Sequence, residues 1–255
     1  MELNSAALTA TGNTRLVNED SYYLNGSYKK QACSDEESHE NRTADYGIYA
    51  VCDGMGGEHN GYVASYLCAR LLEDFQGHDI TDFLPYFEKA NNLVCDYIRE
   101  HDNLKSGSTA ALIGISGRTA VVYNIGDSRV YLCRDKELCQ LSVDHTSAQR
   151  MVNMGCLTPE QAKTDRSRHT LTQHIGIFEE EFVIEPYKSA PFSIQPGDRF
   201  LLCSDGLSDS ADTLVLNEIL SDNTRSAKTA CRRLVDYALA NGSKDNVTAL
   251  VVDVR

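Results

Sequence analysis

Apolar residues recur along this chain at two spacings, and the change from one to the other divides it into strands and helices. The run Tyr-Gly-Ile-Tyr-Ala-Val-Cys at 46–52 is apolar at odd and even positions alike, as a strand buried on both faces requires; shorter β-like runs precede it at 6–11 and 21–24. Between them, residues 26–45 are polar and almost free of aliphatic side chains, which predicts a long surface loop or an irregular hairpin. Helical spacing follows. Val63, Ala64, Leu67, Leu71 and Phe75 share one face, and so do Phe83, Phe87, Ala90, Val94, Tyr97 and Ile98. Residues 61–75 and 82–101 are therefore expected as two amphipathic helices, side by side over a sheet.

Strand spacing returns at 109–115, 119–125, 129–133 and 138–142, with tight turns at Ser116-Gly117-Arg118, Gly126-Asp127-Ser128 and Arg134-Asp135-Lys136, the pattern of an antiparallel meander. Residues 147–155 read as a short helix. Thr158-Pro159-Glu160-Gln161 then supplies an N-cap, a proline at the first helical position and a capping-box glutamine. With the polar stretch 163–169 this forms a small helical insertion at about 146–170. Strands at 182–188 and 198–203, helices at 213–221 and 225–240, and a buried strand at 247–252 complete the chain. Helical pairs that follow groups of strands fit an α+β fold, a four-layer α-β-β-α sandwich of two antiparallel sheets flanked by helical pairs.

Composition narrows the function. At 255 residues with 42% hydrophobic side chains, the chain can bury a sizeable core, and one domain spanning 1–255 is expected. No apolar run approaches the roughly 18–20 residues of a membrane span, and the first residues lack a basic segment followed by an apolar one. A cytoplasmic protein is expected. The formal net charge of −13 argues against nucleic acid and anionic membranes as partners, and the basic pairs Lys29-Lys30 and Arg232-Arg233 read as solvated loop or helix faces. Nine cysteines include no C-x-x-C pair, so most are expected as small buried core residues. None is followed six positions later by arginine, which removes the cysteine-nucleophile phosphatase loop. G-x-S-x-G, H-E-x-x-H and P-loop motifs are absent too.

A few acidic residues stand where solvation fails. Asp53 ends the apolar run at 49–52 and enters Gly54-Met55-Gly56-Gly57; Asp205 follows the run at 200–203 and enters Gly206; Asp127 sits in a turn between apolar strands; Asp245 stands just ahead of the last strand. One such Asp alone reads best as a turn cap. Four together do not, because gathering desolvated carboxylates is prohibitive unless cations compensate. Oxygen ligands without histidine or thiolate favour Mg²⁺ or Mn²⁺ over Zn²⁺, and the adjacent glycines let a carbonyl approach an ion.

These residues, in their order and context, closely resemble the PPM family of metal-dependent protein phosphatases, protein phosphatase type 2C. The matching segments are Gly12-Asn13-Thr14-Arg15 through Asn18-Glu19-Asp20, Val51 to Gly57, Ser106-Gly107-Ser108-Thr109 and Asn124 to Arg129, followed by Asp144-His145-Thr146, Leu171-Thr172, Cys203 to Leu207 and Asp245-Asn246-Val247-Thr248. Any one is weak; eight in the right order are specific. The resemblance implies hydrolysis of phosphoserine and phosphothreonine in proteins by a metal-activated water, without a phospho-enzyme intermediate. It implies two Mn²⁺ or Mg²⁺ ions, with a third possible. Asp53 would bridge the ions, the Gly54 carbonyl would bind one, and Asp205 and Asp245 the other. Glu19 would reach them directly or through water, with Asp20 behind it; Asp127 would join Asp205 on a third ion, and Arg15 would grip the substrate phosphate.

The match departs from the family at two places. Met55 stands where eukaryotic relatives carry a histidine thought to protonate the leaving group, although bacterial-type members share the Asp-Gly-Met-Gly-Gly form. His59, near by in sequence, reads as a surface residue, and a metal-bound water is an equal candidate for the acid. The insertion at 146–170 occupies the place of the family's flap with a different sequence, and Arg166 and Arg168 read as solvated rather than substrate-binding. Two further readings use the same residues: a catalytically silent adaptor domain, and a two-metal phosphatase of small molecules. The expected partners are phosphorylated proteins, opposing a serine/threonine kinase, with the chain a monomer.

Overall fold

Strands apolar on both faces must be covered on both, and that requirement shapes the protein. The structure, a computed structural model, describes residues 1–30, 36–56, 61–101 and 106–255. It contains strands β1 (Leu3–Ala10), β2 (Asp20–Leu24), β3 (Ser27–Tyr28), β4 (Glu36–Thr43) and β5 (Tyr46–Met55), then helices α1 (Gly61–Leu71) and α2 (Leu84–Glu100). β6 (Gly107–Ser108), β7 (Ala110–Ser116), β8 (Thr119–Ile125), β9 (Arg129–Arg134) and β10 (Glu137–Gln140) follow, with α3 (Ser147–Asn153) and α4 (Pro159–Ala162) in the insertion. The remainder is β11 (Tyr187–Lys188), β12 (Phe192–Ser193), β13 (Arg199–Cys203), α5 (Asp205–Ser208), α6 (Thr213–Leu220), α7 (Ala227–Ala240) and β14 (Val247–Val254).

One sheet runs β10-β9-β13-β14-β1-β4 and the other β11-β8-β7-β5-β2-β3, with β12 also on β8 and β6 on β5. The pairings are antiparallel. Period-two alternation then sorts the side chains. In β5, Tyr49 and Val51 point between the sheets beside Leu250, Val252 and Phe200, whereas Ile48, Ala50 and Cys52 point outward beneath α1 and α2. In β14, Val247, Ala249 and Val251 face α6 and α7. This is the expected four-layer sandwich. Six of the eight described cysteines are buried; Cys139 and Cys156 are exposed. Among the described residues no helix is long and apolar enough to cross a membrane.

Four sequence expectations are corrected. Residues 26–45 are not simply a loop: β3 closes a two-residue hairpin on β2, with Asn25 and Gly26 both at positive φ (45° and 97°), and the polar β4 pairs along all of β1 as a sheet edge. The strands at 109–142 do not form one meander. β7 and β8 belong to one sheet, β9 and β10 to the other, so Gly126-Asp127-Ser128 is a crossing between sheets. The strand expected at 182–188 shrinks to Tyr187–Lys188, because Phe182 and Val183 are solvent-exposed and the backbone there bonds to the Gln173 side chain instead of a neighbouring strand. Lys29 is fully buried rather than solvated. The capping box at Thr158 and Gln161 forms with both of its hydrogen bonds.

Arg199 of β13 ties one helical layer to its sheet. It is buried, donates from Nε to Asp253 Oδ1 at 2.6 Å, and reaches the carbonyls of Leu220, Asp222 and Arg225 around the α6–α7 connection. Removing one partner of a buried ion pair strands the other charge, at a cost of about 3–5 kcal/mol. Arg199→Met is expected to lose about that much stability in urea unfolding, whereas Lys228→Ala, which breaks an exposed pair with Glu40, should lose under about 1 kcal/mol. Equal small losses would contradict the assignment.

Candidate functional site

The sheets bring acidic residues to one end of the sandwich because four strand ends meet there. β5 ends at Asp53-Gly54-Met55 and β2 begins at Asp20, which sits opposite Asp53 in the ladder. β13 delivers the chain into α5 at Asp205, and β14, paired antiparallel with β13, begins just after Asp245-Asn246. The inter-sheet crossing adds Asp127. A cleft of about 1080 Å³ opens here, lined by Arg15, Glu19, Asp53, Gly54, Asp127, Asp205 and Asp245, so every residue expected at the site borders one space. Asp20 is buried beneath it.

Backbones crowd where the acids converge. A Cβ on Gly54 would lie 2.3 Å from the Gly61 carbonyl oxygen and 2.5 Å from that of Glu19, and a Cβ on Gly206 would lie 2.0 Å from the Asn246 carbonyl oxygen. Only glycine fits at either place. Under the cleft a chain of buried hydroxyls joins the sheets: Asn18 Nδ2 donates to Thr9 Oγ1 at 2.9 Å, Thr9 and Thr248 share a 2.7 Å bond, and Thr248 and Ser204 each donate to Asp20 Oδ2 at 2.6 Å.

Desolvation comes first among the causes that raise these carboxyls, followed by their neighbours' charges. Burial lifts Asp20 to about 7 although its two hydroxyl bonds pull it down. Burial and Asp205 lift Asp127 to about 8, while burial and Asp245 lift Asp205 to about 6. Asp53, facing Asp20, Asp205 and Asp127, is held well above the ordinary carboxylate range. The buried Oδ1 atoms of Asp20 and Asp205 have no hydrogen-bond partner. An all-oxygen donor set with orphaned, proton-retaining carboxylates suits hard divalent cations.

Arg15 lies on the rim, its side chain 51% exposed, with its fork closed on Asp245 at 2.8 and 2.7 Å. The expectation separated these two residues, one on phosphate and one on metal; here they pair. Sequence reasoning missed the share of the site taken by the end of the insertion, at His169, and by His174 just beyond it. His169 and His174 line the cleft, and ligand atoms of His169, Asp205 and Asp209 lie within 4.8 Å of one another, with Asp53 and Asp245 in the same cleft outside that trio. Arg168 is not simply solvated: it pairs with Asp209 at 3.4 Å and donates to the Lys163 carbonyl. Arg166 is exposed, and His59 lies outside the described residues. No spacing in the sequence pointed from the flap to Asp209, since the contact joins separate elements.

The family model described as protein phosphatase 2C matches residues 17–151. The serine/threonine protein phosphatase PstP of Mycobacterium tuberculosis is 33% identical over 258 residues, covering 99% of this chain and 45% of its own length, so the chain spans about half of that relative. The serine/threonine phosphatase stp of Listeria welshimeri is 30% identical over 216 residues, covering 81% of this chain and 84% of its own. A crystal structure of the PstP catalytic domain in complex with two manganese ions has a TM-score of 0.77 at 29% identity, covering 99% of each chain.

Raised carboxyls set the sign of a pH dependence. Asp20, Asp53, Asp127 and Asp205 keep protons in the folded protein that unfolded carboxyls release near pH 4. Their contribution is complete below that pH; that of Asp20, Asp127 and Asp205 is lost as pH rises through about 6 to 8, and that of Asp53 is lost in the same direction. His145, whose burial lowers its pKa, works the other way, one group against four. In EDTA the thermal midpoint is expected to fall between pH 5 and pH 8, and Mn²⁺ should raise it more at pH 8 than at pH 5. A midpoint rising with pH in EDTA would refute the clustering.

Proposed function

This chain belongs to the protein phosphatase 2C family, and from that membership we propose that it is a metal-dependent protein serine/threonine phosphatase, cleaving phosphoserine and phosphothreonine without a phospho-enzyme intermediate. The observation that carries the reading is the convergence of Glu19, Asp53, Asp127, Asp205 and Asp245 on one cleft with an arginine at its rim. The two manganese ions of the PstP catalytic domain support a two-ion site here. In this reading Asp53, the Gly54 carbonyl, Asp205 and Asp245 would hold the two ions, with Asp53 the shared ligand and Glu19 contributing directly or through water. Asp127 would join Asp205 on a third ion. Bound there, divalent cations supply an acidified water and neutralise charge on the phosphoryl oxygens.

The chain's own groups account for the rest. Arg15 presents a planar fork already set for a two-oxygen partner, which a phosphate dianion matches as well as a carboxylate does. Asp20 sits behind the cleft, anchored by Ser204 and Thr248, and holds the end of β2 against β5. Met55 offers no proton, and among the described residues His169 and His174 are the imidazoles that border the cleft. Phosphorylated proteins in the cytoplasm, opposing a serine/threonine kinase, are the substrates and setting this reading implies.

Hydrolysis of p-nitrophenyl phosphate and of a phosphothreonine peptide is expected to require Mn²⁺ or Mg²⁺, and to be abolished by EDTA, Asp53→Ala and Asp205→Ala. Metal binding without any turnover would instead mark an adaptor domain. Cleavage of small phosphates with phosphopeptides untouched would mark a small-molecule phosphatase. For Arg15→Ala, steady-state kinetics should show KM raised about tenfold, the worth of a charge-assisted hydrogen bond, with kcat little changed; a pure kcat effect would contradict a grip on the bound phosphate.

A further inference from the structure

Lysine is among the residues least often fully buried, yet Lys29 is 0% exposed. The Asn25-Gly26 hairpin turns β3 back along β2 so that Tyr28 lies opposite Tyr23, and the next residue, Lys29, extends toward the start of β2. Its Nζ donates to the Asn18 carbonyl at 3.1 Å and to the Asp20 carbonyl at 2.6 Å. These are the carbonyls of the two residues that flank Glu19.

Other bonds of the triplet fix the same short segment. Asn18 Oδ1 accepts from the Asp20 amide at 3.1 Å, and the Glu19 amide donates to Asn246 Oδ1 at 2.8 Å. The Glu19 carbonyl accepts from Ser65 Oγ at 2.5 Å and from the Gly54 amide at 3.2 Å, and Glu19 Oε1 accepts from the Gly61 amide at 2.9 Å. Of the donors in these contacts, Lys29 alone carries a charge. Burying an ammonium costs several kcal/mol, and an apolar side chain would fill the same space without that cost. What the ammonium adds is a strong, charge-assisted clamp on two backbone carbonyls.

We infer that Lys29 is a positioning residue of the metal site: by clamping the carbonyls of Asn18 and Asp20 it fixes where the Glu19 carboxylate stands. The inference rests on the metal-dependent reading above. Groups that orient metal ligands through a second layer of hydrogen bonds are worth about 10–100-fold in affinity, which gives Lys29 a readout separate from catalysis.

The test is calorimetric titration of Mn²⁺ into the wild type, Lys29→Met, Glu19→Ala and the double variant, with thermal melts in EDTA to establish folding. Lys29→Met is expected to bind Mn²⁺ about tenfold more weakly. On the Glu19→Ala background the same change should cost less than about twofold, because its effect passes through Glu19. Lys29→Arg, which keeps charge and donors, should recover part of the affinity. Unaltered binding by Lys29→Met, or an equal loss on both backgrounds, overturns the inference; a wild type that binds no Mn²⁺ overturns the metal reading instead. Should Lys29→Met fail to fold, Lys29→Gln, which retains N–H donors without the charge, takes its place with the same expected loss, and wild-type affinity there overturns the inference equally.

Discussion

Mutual repulsion among carboxylates at one end of the sandwich is the condition around which this protein is built. Asp20 and Asp53 stand opposite each other on adjacent strands, a like-charge placement that destabilises a ladder, and Asp127, Asp205 and Asp245 add to it from three other segments. Such a cluster survives only if the surrounding scaffold does not depend on it. The scaffold here is a set of three apolar layers, one between the sheets and one beneath each helical pair. Each fully buried Val, Leu, Ile or Phe in those layers contributes about 1.5–3 kcal/mol, enough in sum to hold the strand ends in place. Retained protons and the hydroxyls of Ser204 and Thr248 that bond Asp20 each lower the electrostatic load. Divalent cations would relieve more of it than any of these, which couples the stability of the site to what it binds.

Much of this was legible in the sequence because the constraints on it are local. A strand covered on both faces must be apolar at both parities, so 46–52 and 247–252 announce themselves; the helices at 61 and 82 carry their faces in plain spacing. An aspartate that ends such a strand next to glycine is visible for the same reason. What escaped was set by partners distant in sequence. β4 is polar because only one long edge of it meets β1, so its sequence, Glu-Glu-Ser-His-Glu-Asn-Arg-Thr, carries no strand signal, and its charges suit an edge that must not recruit another strand. The Asn25-Gly26 pair did carry a hairpin signal, which the polarity of the following residues obscured. The crossing at 126–128 reads as a hairpin turn in sequence because a tight turn and a sheet-to-sheet connection use the same residues.

Lys29 illustrates the same limit from the side of charge. In sequence it belongs to a basic pair, and basic pairs are nearly always solvated; only the fold shows that one lysine of the two turns inward, while Lys30 stays exposed. In the Arg232-Arg233 pair neither side chain is buried: Arg232 is exposed on α7 beside Asp236, and Arg233 is partly exposed beside Asp222. Two adjacent cations with the same local chemistry thus have different fates in the two places, decided by whether a buried backbone offers carbonyls to bind.

The site therefore divides into a floor and a rim with different physical properties. The floor is made of strand ends, close glycine contacts and buried hydroxyls, so small displacements there cost packing as well as hydrogen bonds. The rim is made of Arg15 and, from the insertion, Arg168 and His169, all about half exposed; Arg15 pairs with Asp245 and Arg168 with Asp209, which also lies beside His169. Exposed pairs contribute about 0–1 kcal/mol each and exchange partners readily. On the proposed reading, a rigid floor with an exchangeable rim would keep the reacting geometry constant while leaving the surface that first meets a substrate adjustable.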